Sequence, residues 1–286
     1  MKKVPLVAAI NDLSGFGRCS LTVALPIFSA MGIQGCPLPT AILSNHTGYN
    51  SCYFEDFTDR MGAYISEWKK LGLSFDGICT GFLGDAAQVE ILAQFIRSSA
   101  QPDAVLLVDP AMADDGELYR TCTDELCRQM RNLVALGNLV TPNLTEACLL
   151  TDESYEDILR AGQDELDDKI FSMARRISQT GPEQVVITGI HSGDRIVNFV
   201  YDNGKEYKAS SPMVDCKYAG TGDVFAAVLL GYRIHGVELS QAVQKAADFV
   251  SEATAHSVAL GVRSTDGIAF EPFLSRLAQD IDRLGR

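Results

Sequence analysis

A glycine-rich segment near residue 220 has the residue types and spacing that suit transfer of a phosphoryl group. Gly220-Thr221-Gly222-Asp223 leads into an apolar run that predicts a helix over 223–234. Backbone N–H groups at such a helix start, together with the helix dipole, form an anion site. Asp223, in the first turn, could accept a hydroxyl proton while these amides stabilise the transferring group. Plain helix capping explains the same residue types equally well.

A second polar segment surrounds residues 141–146, where a predicted strand gives way to a helix. Asn143 and Glu146 are three residues apart and therefore face the same side of a first helical turn. This is also the spacing of a capping box, which is a purely structural motif. The functional alternative is an oxygen-rich site for hydrated Mg²⁺. Asp109, which ends a wholly apolar run, is the natural second carboxylate for that site.

Other unusual polar residues also follow predicted strands. In open α/β sheets, ligands bind beyond the carboxyl ends of the strands, so these residues should share one site. The segments concerned are Asn11-Asp12, Ser44-Asn45-His46-Thr47, Thr80-Gly81-Phe82, Asp109-Pro110, Pro142-Asn143 and Thr188-Gly189.

Several common catalytic motifs are missing from the chain. Gly15-Phe16-Gly17-Arg18-Cys19-Ser20 lacks the third glycine of a dinucleotide fingerprint, and no acidic residue occurs between Phe16 and Phe54 to bind a ribose. There is no Walker A sequence, no H-E-x-x-H and no intact G-x-S-x-G. A Rossmann dehydrogenase, a P-loop enzyme and a serine hydrolase are therefore disfavoured.

The elements that must position these residues alternate between short apolar runs and longer helical patterns. Both faces of the strands are apolar, as in a parallel sheet covered by helices, which predicts a doubly wound three-layer α/β/α fold. Asn203-Gly204 predicts a hairpin between the last two strands. The predicted strands are 6–10, 34–42, 77–80, 104–109, 138–141, 184–188, 196–201 and 206–210, and the predicted helices are 22–31, 56–71, 86–98, 124–136, 164–179, 223–234, 238–258 and 271–284.

Composition limits the classes of partner. The 286 residues include 24 Lys and Arg against 37 Asp and Glu, a formal net charge of −13, so nucleic acid is excluded as a partner. The 47% of apolar residues supports a large core, but no apolar run approaches the ~20 residues of a membrane span. The eight cysteines form no C-x-x-C pair. Free thiols and a cytoplasmic location are therefore expected, with no membrane association.

The polar segments, in this order, resemble the ribokinase-like superfamily and, within it, the pyridoxal kinases. Gly220-Thr221-Gly222-Asp223 resembles the anion-hole and catalytic-base signature of the superfamily, and Asn143-x-x-Glu146 resembles its metal motif. Ser44-Asn45-His46-Thr47-Gly48-Tyr49 is similar to a segment typical of pyridoxal kinases. Thr80-Gly81-Phe82 and Asp109-Pro110 are similar to their T-G-Y and D-P-V. The resemblance extends from about residue 5 to 260.

This resemblance implies a single ribokinase-like kinase domain over 1–286. The implied reaction is ATP- and Mg²⁺-dependent phosphorylation of the 5′-hydroxymethyl group of pyridoxal, pyridoxamine or pyridoxine, in a homodimer that could also need a monovalent cation. The implied roles are Asp223 as base, Gly220, Thr221 and Gly222 as anion hole, Asp109 and Glu146 as Mg²⁺ ligands, Asn143, Thr188, Asp114 and Thr221 as nucleotide contacts, and Asp12, Ser14, Thr47 and Phe82 as ring contacts. Lys208 or Lys217, near the hairpin, is expected close to phosphate.

One segment departs from the pyridoxal kinase pattern. Those kinases usually begin with a Gln-Ser-His loop, whereas this chain has Asn11-Asp12-Leu13-Ser14-Gly15. The stretch is closer to the D-x-S-G-G of hydroxymethylpyrimidine kinases, which phosphorylate a similar group. Hydroxymethylpyrimidine is therefore the alternative acceptor. A non-catalytic vitamer- or nucleotide-binding protein on the same fold is the second alternative, although such a protein would not need both Asp223 and Glu146.

Overall fold

The structure, a computed structural model, describes residues 3–285. Nine of its strands form one sheet and two form a small ribbon. The strands are β1 (Leu6–Ser14), β2 (Gln34–Leu43), β3 (Phe54–Asp56), β4 (Phe75–Thr80), β5 (Ala100–Val108), β6 (Ala113–Asp114), β7 (Glu117–Leu118), β8 (Leu139–Val140), β9 (Gln184–Ser192), β10 (Arg195–Asp202) and β11 (Lys205–Pro212).

Parallel pairing dominates the centre of the large sheet. Its strand order is β11-β10-β9-β8-β5-β4-β1-β2-β3. All neighbours from β9 to β2 are parallel, whereas β10 and β11 at one edge and β3 at the other pair antiparallel. The carboxyl ends of β1, β4, β5 and β8 therefore meet along one edge of the sheet.

Helices cover both faces of this sheet. Helices α1, α8, α9 and α10 pack on one face, and α2, α3, α4, α5 and α7 pack on the other. The helices are α1 (Ser20–Ala30), α2 (Thr58–Lys70), α3 (Ala87–Ser99), α4 (Asp124–Val134), α5 (Leu144–Thr151), α6 (Tyr155–Leu159), α7 (Gln163–Ser178), α8 (Thr221–Ile234), α9 (Leu239–Ala259) and α10 (Leu274–Leu284), with 3₁₀ turns at Ser264–Asp266 and Glu271–Phe273.

The alternation of side chains along β1 explains the two cores. Val7 and Ala9 belong to the core beneath α1 and α8, while Ala8 and Ile10 belong to the core beneath α2 and α3. Each of the four is at most 2% exposed. Because successive strand residues point to opposite faces, an uninterrupted apolar run is what a doubly covered strand requires. The predicted three-layer α/β/α fold is confirmed.

Several predicted boundaries were wrong, each for a local reason. Strand β1 continues four residues past its predicted end, because its pairing with β2 resumes after a register shift between Asn11 and Leu13. The predicted helix 56–71 begins only at Thr58, because β3 takes the preceding residues to pair with β2. The short ribbon of β6 and β7 had no detectable periodicity.

The predicted hairpin was correct. Asn203 and Gly204 have φ angles of 49° and 88° between β10 and β11, as a type I′ turn requires.

Within residues 3–285, none of the helices combines the length and the apolar character needed to cross a membrane.

Two helical glycines test how tightly α8 packs on the rest of the protein. In Gly231→Ala, the new Cβ would lie 2.2 Å from the sulfur of the fully buried Met31, so we expect a loss of about 1–3 kcal/mol in the free energy of unfolding. Gly62→Ala in α2 is the matched control, because a Cβ there meets nothing within 4 Å. It should gain roughly 0.5–1 kcal/mol from helix propensity. Urea denaturation measures the free energy of unfolding of both variants. Equal changes in the two variants would contradict tight packing of α8 at Gly231.

Candidate active site

Asn11, in the central strand β1, connects three parts of the candidate site. Its Oδ1 accepts hydrogen bonds from the backbone N–H groups of Phe82 (2.9 Å) and Asp12 (3.0 Å). These two donors fix the orientation of the amide, so its Nδ2 faces Asp223 and donates to Oδ1 of that carboxylate at 3.0 Å. Gly81 is needed here, because a Cβ at that position would lie 2.3 Å from Asn11 Nδ2. Sequence analysis assigned Asn11 no role.

The start of α8 is held by a contact between two stretches of backbone. Gly220 is the N-cap of α8 with φ = 76°, and an added Cβ would lie 2.0 Å from the carbonyl oxygen of Arg18. The helix therefore begins at Thr221, two residues before the predicted start. The first N–H groups of a helix have no partner within it, so those of α8 are available to bind an anion. Gly222 lies close to Asp109, since a Cβ there would be 3.8 Å from Oδ2 of that residue.

Asp223 and Asp109 are half-buried carboxylates that face each other across this edge of the sheet. Desolvation raises the pKa of Asp223 to about 6, although hydrogen bonds from the Ser20 backbone and Asn11 partly oppose the shift. Desolvation and the nearby charge of Asp223 raise the pKa of Asp109 to about 8. Two such carboxylates without a bound cation destabilise the folded state. Carboxyls with perturbed pKa values in a cleft are typical of functional sites.

Glu146 is almost fully buried and forms the capping box that the spacing also allowed. Its Oε2 accepts from the Asn143 backbone N–H (2.9 Å), its Oε1 accepts from Met112 N–H (3.1 Å), and Asn143 Oδ1 accepts from Glu146 N–H (2.9 Å). The structural interpretation of this pair is therefore confirmed. Burial raises the pKa of Glu146 well above its usual range, and the charge of Asp109 adds to the effect.

The residues predicted to contact nucleotide lie on elements around Asn143. Thr188 forms an isolated bridge with Asn143, and its backbone N–H donates to Pro142 at 2.9 Å. The Asn143 side chain donates to the carbonyl oxygen of Ala113 at 2.7 Å, which ties it to the ribbon that carries Asp114. The structure thus brings three of the four predicted nucleotide residues into one neighbourhood.

The two predicted lysines differ in their surroundings. Lys217 forms an ion pair with Asp115, the neighbour of Asp114, so it lies beside the ribbon. Lys208 pairs with Asp167 of α7 and lies over the ring of Phe199. These contacts place Lys208 against α7 on the sheet edge, and the approach of either lysine to phosphate stays a prediction.

Asp12, predicted to contact the ring, lies in a buried hydrogen-bond network with two serines. Its Oδ2 accepts from the Ser14 hydroxyl at 2.7 Å, and its Oδ1 accepts from the Ser20 hydroxyl at 2.5 Å. Asp12 is 5% exposed and Ser14 is fully buried. Burial raises the pKa of Asp12, while the two serine hydroxyls oppose the shift. Ser20, which sequence analysis did not single out, adopts an unusual positive φ of 54° at the start of α1.

Two further segments carry the other residues predicted to contact the ring. Phe82 is held at both ends, since its carbonyl oxygen accepts from the Thr40 hydroxyl at 2.8 Å. The loop that carries Thr47 contacts the 3₁₀ turn Ser264–Asp266. His46 Nε2 lies 2.7 Å from Thr265 O, and the Tyr49 hydroxyl donates to Asp266 at 2.8 Å. The sequence did not indicate these contacts, because they join residues more than 200 positions apart.

The donor atoms at this edge suit a hard divalent cation. The hydroxyl of Thr80, which ends β4, is buried and makes no hydrogen bond. The hydroxyl of Thr141, which follows β8, is buried beside Asp109 and lowers the pKa of that carboxyl. Together with Asp109 and Glu146 they present only oxygen ligands. No three His, Cys, Asp or Glu side chains cluster as a metal site in the part of the chain that the structure describes. Mg²⁺ therefore fits here only as an ion that keeps waters or phosphate oxygens as further ligands.

Comparisons with known proteins agree with this arrangement. The profile of the phosphomethylpyrimidine kinase family matches residues 24–267. A Bacteroides thetaiotaomicron protein assigned as a phosphomethylpyrimidine kinase has crystal structures in two forms, one of them with pyridoxal. Its first form is 38% identical, with a TM-score of 0.90 over 96% of this chain and 94% of that chain; the pyridoxal form is 37% identical, with a TM-score of 0.89 over 98% and 96%.

Two curated relatives carry different names. The hydroxymethylpyrimidine/phosphomethylpyrimidine kinase of Haemophilus influenzae is 28% identical, over 91% of this chain and 95% of its own length. The pyridoxal kinase of Granulibacter bethesdensis is 26% identical, over 85% and 87%. Together with the fold, these likenesses establish a ribokinase-like architecture.

Asp109→Asn should stabilise the ligand-free fold at neutral pH. The folded-state pKa of Asp109, about 8, exceeds its ordinary value of 3.8. The folded state therefore holds a proton that the unfolded state releases, and stability falls as pH rises through that interval. Asparagine cannot ionise, so its melting temperature in chelating buffer should exceed that of the parent by several degrees at pH 8. The difference should vanish near pH 4, and a constant difference at both pH values would contradict this explanation.

Proposed function

Because the chain belongs to the phosphomethylpyrimidine kinase family, we propose that it transfers the γ-phosphoryl group of ATP to the 5′-hydroxymethyl group of a B6 vitamer. The observation that carries this proposal is the position of Asp223. Its carboxylate lies in the first turn of α8, beside free helix N–H groups, and is oriented by Asn11. A base and an anion site thus adjoin each other, as phosphoryl transfer to an alcohol requires.

In the proposed reaction, Asp223 accepts the proton of the substrate hydroxymethyl group. The deprotonated hydroxymethyl oxygen then attacks the γ-phosphorus. The bond from that phosphorus to the β–γ bridging oxygen breaks, and ADP leaves. The backbone N–H groups of Gly220, Thr221 and Gly222 stabilise the charge on the transferring phosphoryl oxygens. With a pKa of about 6, Asp223 is largely deprotonated at neutral pH yet basic enough to accept the proton.

The proposed nucleotide side of the site lies towards β8 and the ribbon. Asn143, Thr188, Asp114 and Thr221 would position the phosphates, and Asp109 and Glu146 would hold Mg²⁺ directly or through water. Mg²⁺ supplies charge neutralisation between the phosphate oxygens and the buried carboxylates. Since Glu146 already accepts two backbone hydrogen bonds, we propose contact through water for this residue.

The proposed ring side lies between β1, β4 and the loop after β2. Thr47 and Phe82 are half-buried and would contact the heterocycle, with Asp12 and Ser14 beneath it. Their fixed hydrogen bonds give the pocket a preformed floor. The B6 ring is favoured by the Ser44–Tyr49 segment and by the pyridoxal in the Bacteroides relative.

Hydroxymethylpyrimidine is the second candidate acceptor. Asp12 and the name of the matching family favour it, and the Haemophilus relative carries that name. A homodimer, a cytoplasmic location and a monovalent-cation requirement remain part of the proposal through the resemblance alone. The eight free cysteines fit a reducing compartment. A non-catalytic binding protein on the same fold is the rival function, and measured release of ADP with any acceptor would exclude it.

Asp223→Asn tests the assignment of the catalytic base. ADP release should be measured with pyridoxal, pyridoxamine, pyridoxine and hydroxymethylpyrimidine, and we expect turnover with a B6 vitamer. In the variant, kcat should fall about 10²–10⁴-fold because the proton acceptor is lost. ATP affinity, measured by calorimetry with Mg²⁺, should stay within a few-fold of the parent. Near-normal kcat in the variant would exclude Asp223 as base, whereas no turnover by the parent with any acceptor would favour the binding protein.

Asp12→Ser tests which ring the pocket selects. If Asp12 contacts the heterocycle, the ratio of kcat/KM for pyridoxal to that for hydroxymethylpyrimidine should change by about tenfold, as removal of one polar contact does. Ser20→Ala is the matched control, since it removes one hydrogen bond to Asp12 but leaves the carboxylate in place. An unchanged ratio in Asp12→Ser would mean that Asp12 only supports the loop beneath the ring.

A further inference from the structure

Two cysteine thiols lie in contact at the start of α4, outside the candidate active site. The sulfurs of Cys122 and Cys127 are 3.1 Å apart, and both side chains are half-buried. Both are reduced in the structure. They are therefore close to each other and still partly accessible to a small reagent.

The local fold holds this pair in place. Thr123 caps α4 by accepting a hydrogen bond from Leu126 N–H at 3.2 Å, so Cys122 immediately precedes the cap and Cys127 lies in the fourth helical position. These two positions are the ones that an apolar pair occupies in a hydrophobic staple. Cys127 N–H also donates to Thr123 O at 2.9 Å. The contact between the sulfurs thus follows from the geometry of the helix start.

We propose that Cys122 and Cys127 are a thiol modification site that a peroxide converts reversibly into a disulfide. Cys127, as its thiolate, attacks one peroxide oxygen, the O–O bond breaks, and a sulfenic acid forms with release of water. The sulfur of Cys122 then displaces the sulfenic hydroxyl, and a second water leaves. The two thiols lose two electrons and two protons in total, and hydrogen peroxide is reduced to two waters.

The order of these two steps follows from the surroundings of Cys122. Desolvation, the adjacent Cys127 thiol and the charges of Glu146 and Asp124 raise the pKa of Cys122 beyond the ordinary range, so it remains a thiol. A thiolate reacts with peroxide much faster than a thiol does. The Cys122 thiol also donates to the carbonyl oxygen of Thr123 at 3.9 Å, which keeps its proton in place. Cys127 is therefore the residue that attacks the peroxide first, and Cys122 is the resolving residue.

The pair is also connected to the candidate active site. Cys122 N–H donates to Tyr119 O at 2.8 Å, Tyr119 N–H donates to Met112 O at 2.9 Å, and Met112 N–H donates to Glu146 at 3.1 Å. A bond between the two sulfurs would restrain the segment that makes these contacts. The disulfide itself does not depend on the proposed kinase activity.

Mass spectrometry of the full chain tests this proposal. Trypsin cleavage after Arg120 and Arg128 places both cysteines in the single peptide 121–128. The reduced protein should be treated with one equivalent of hydrogen peroxide, alkylated under denaturing conditions and digested. We expect this peptide to lose both alkylation sites and the mass of two hydrogens, before measurable loss of the exposed Cys216 thiol. Dithiothreitol should restore both sites.

Variants distinguish the two roles. In Cys122→Ser, Cys127 should accumulate as a sulfenic acid that dimedone traps, whereas Cys216→Ser, the matched control, should leave the disulfide unchanged. Peptide 121–128 with both thiols still alkylated after Cys216 has been oxidised would overturn the proposal. A sulfinic acid in place of the disulfide would overturn it too, and so would a disulfide from this peptide to another part of the chain.

Discussion

Repulsion between carboxylates crowded at one sheet edge is the interaction on which the rest of this structure depends. Asp12, Asp109, Glu146 and Asp223 are wholly or partly buried, and their pKa values are all raised by desolvation. A fold can tolerate such a cluster only if many other contacts stabilise it. Two apolar cores, one on each face of the sheet, supply that stability. The proposed Mg²⁺ would offset this repulsion.

The protein limits this repulsion with fixed hydrogen-bond donors. Serine hydroxyls donate to Asp12, an amide donates to Asp223, and two backbone N–H groups donate to Glu146. Donors of this kind favour the charged form of a carboxyl without introducing a competing cation. At Asp109 the donor is instead the Thr141 hydroxyl, which lowers the pKa of that carboxyl without cancelling the effect of burial. Binding of the proposed Mg²⁺ would therefore relieve the repulsion that remains at Asp109.

Sequence alone predicted the fold class and most of the residues that the structure brings to this edge, because both follow from one rule. Apolar runs mark the buried strands, and polar residues just beyond them mark the ligand site. The partners of those residues were not predictable. Asn11 and Asp223 are 212 positions apart, and the Tyr49–Asp266 contact spans 217. Such pairings depend on how strands are ordered in the sheet, which no local pattern encodes.

Short elements escaped prediction for a different reason. Strand β3 has three residues and β6 and β7 have two each, too few for any periodicity. For Asn143 and Glu146, the spacing was informative but ambiguous, since a capping box and a metal motif need the same separation. The structure confirms the box, and the two interpretations are compatible, because backbone donors fix a carboxylate that can still bind hydrated Mg²⁺.

The close approach of Gly220 to the Arg18 carbonyl oxygen makes the start of α8 less sensitive to substitutions than the acceptor side of the site. It is made by backbone against backbone, so changes of side chain elsewhere leave the start of α8 where it is. The proposed acceptor contacts, by contrast, are side chains at positions 12, 14, 47 and 82, each of which can change by a single substitution. A protein of this design can acquire a new acceptor during evolution while its phosphate-handling half stays constant. This difference would account for relatives that are named as pyridoxal kinases and as hydroxymethylpyrimidine kinases.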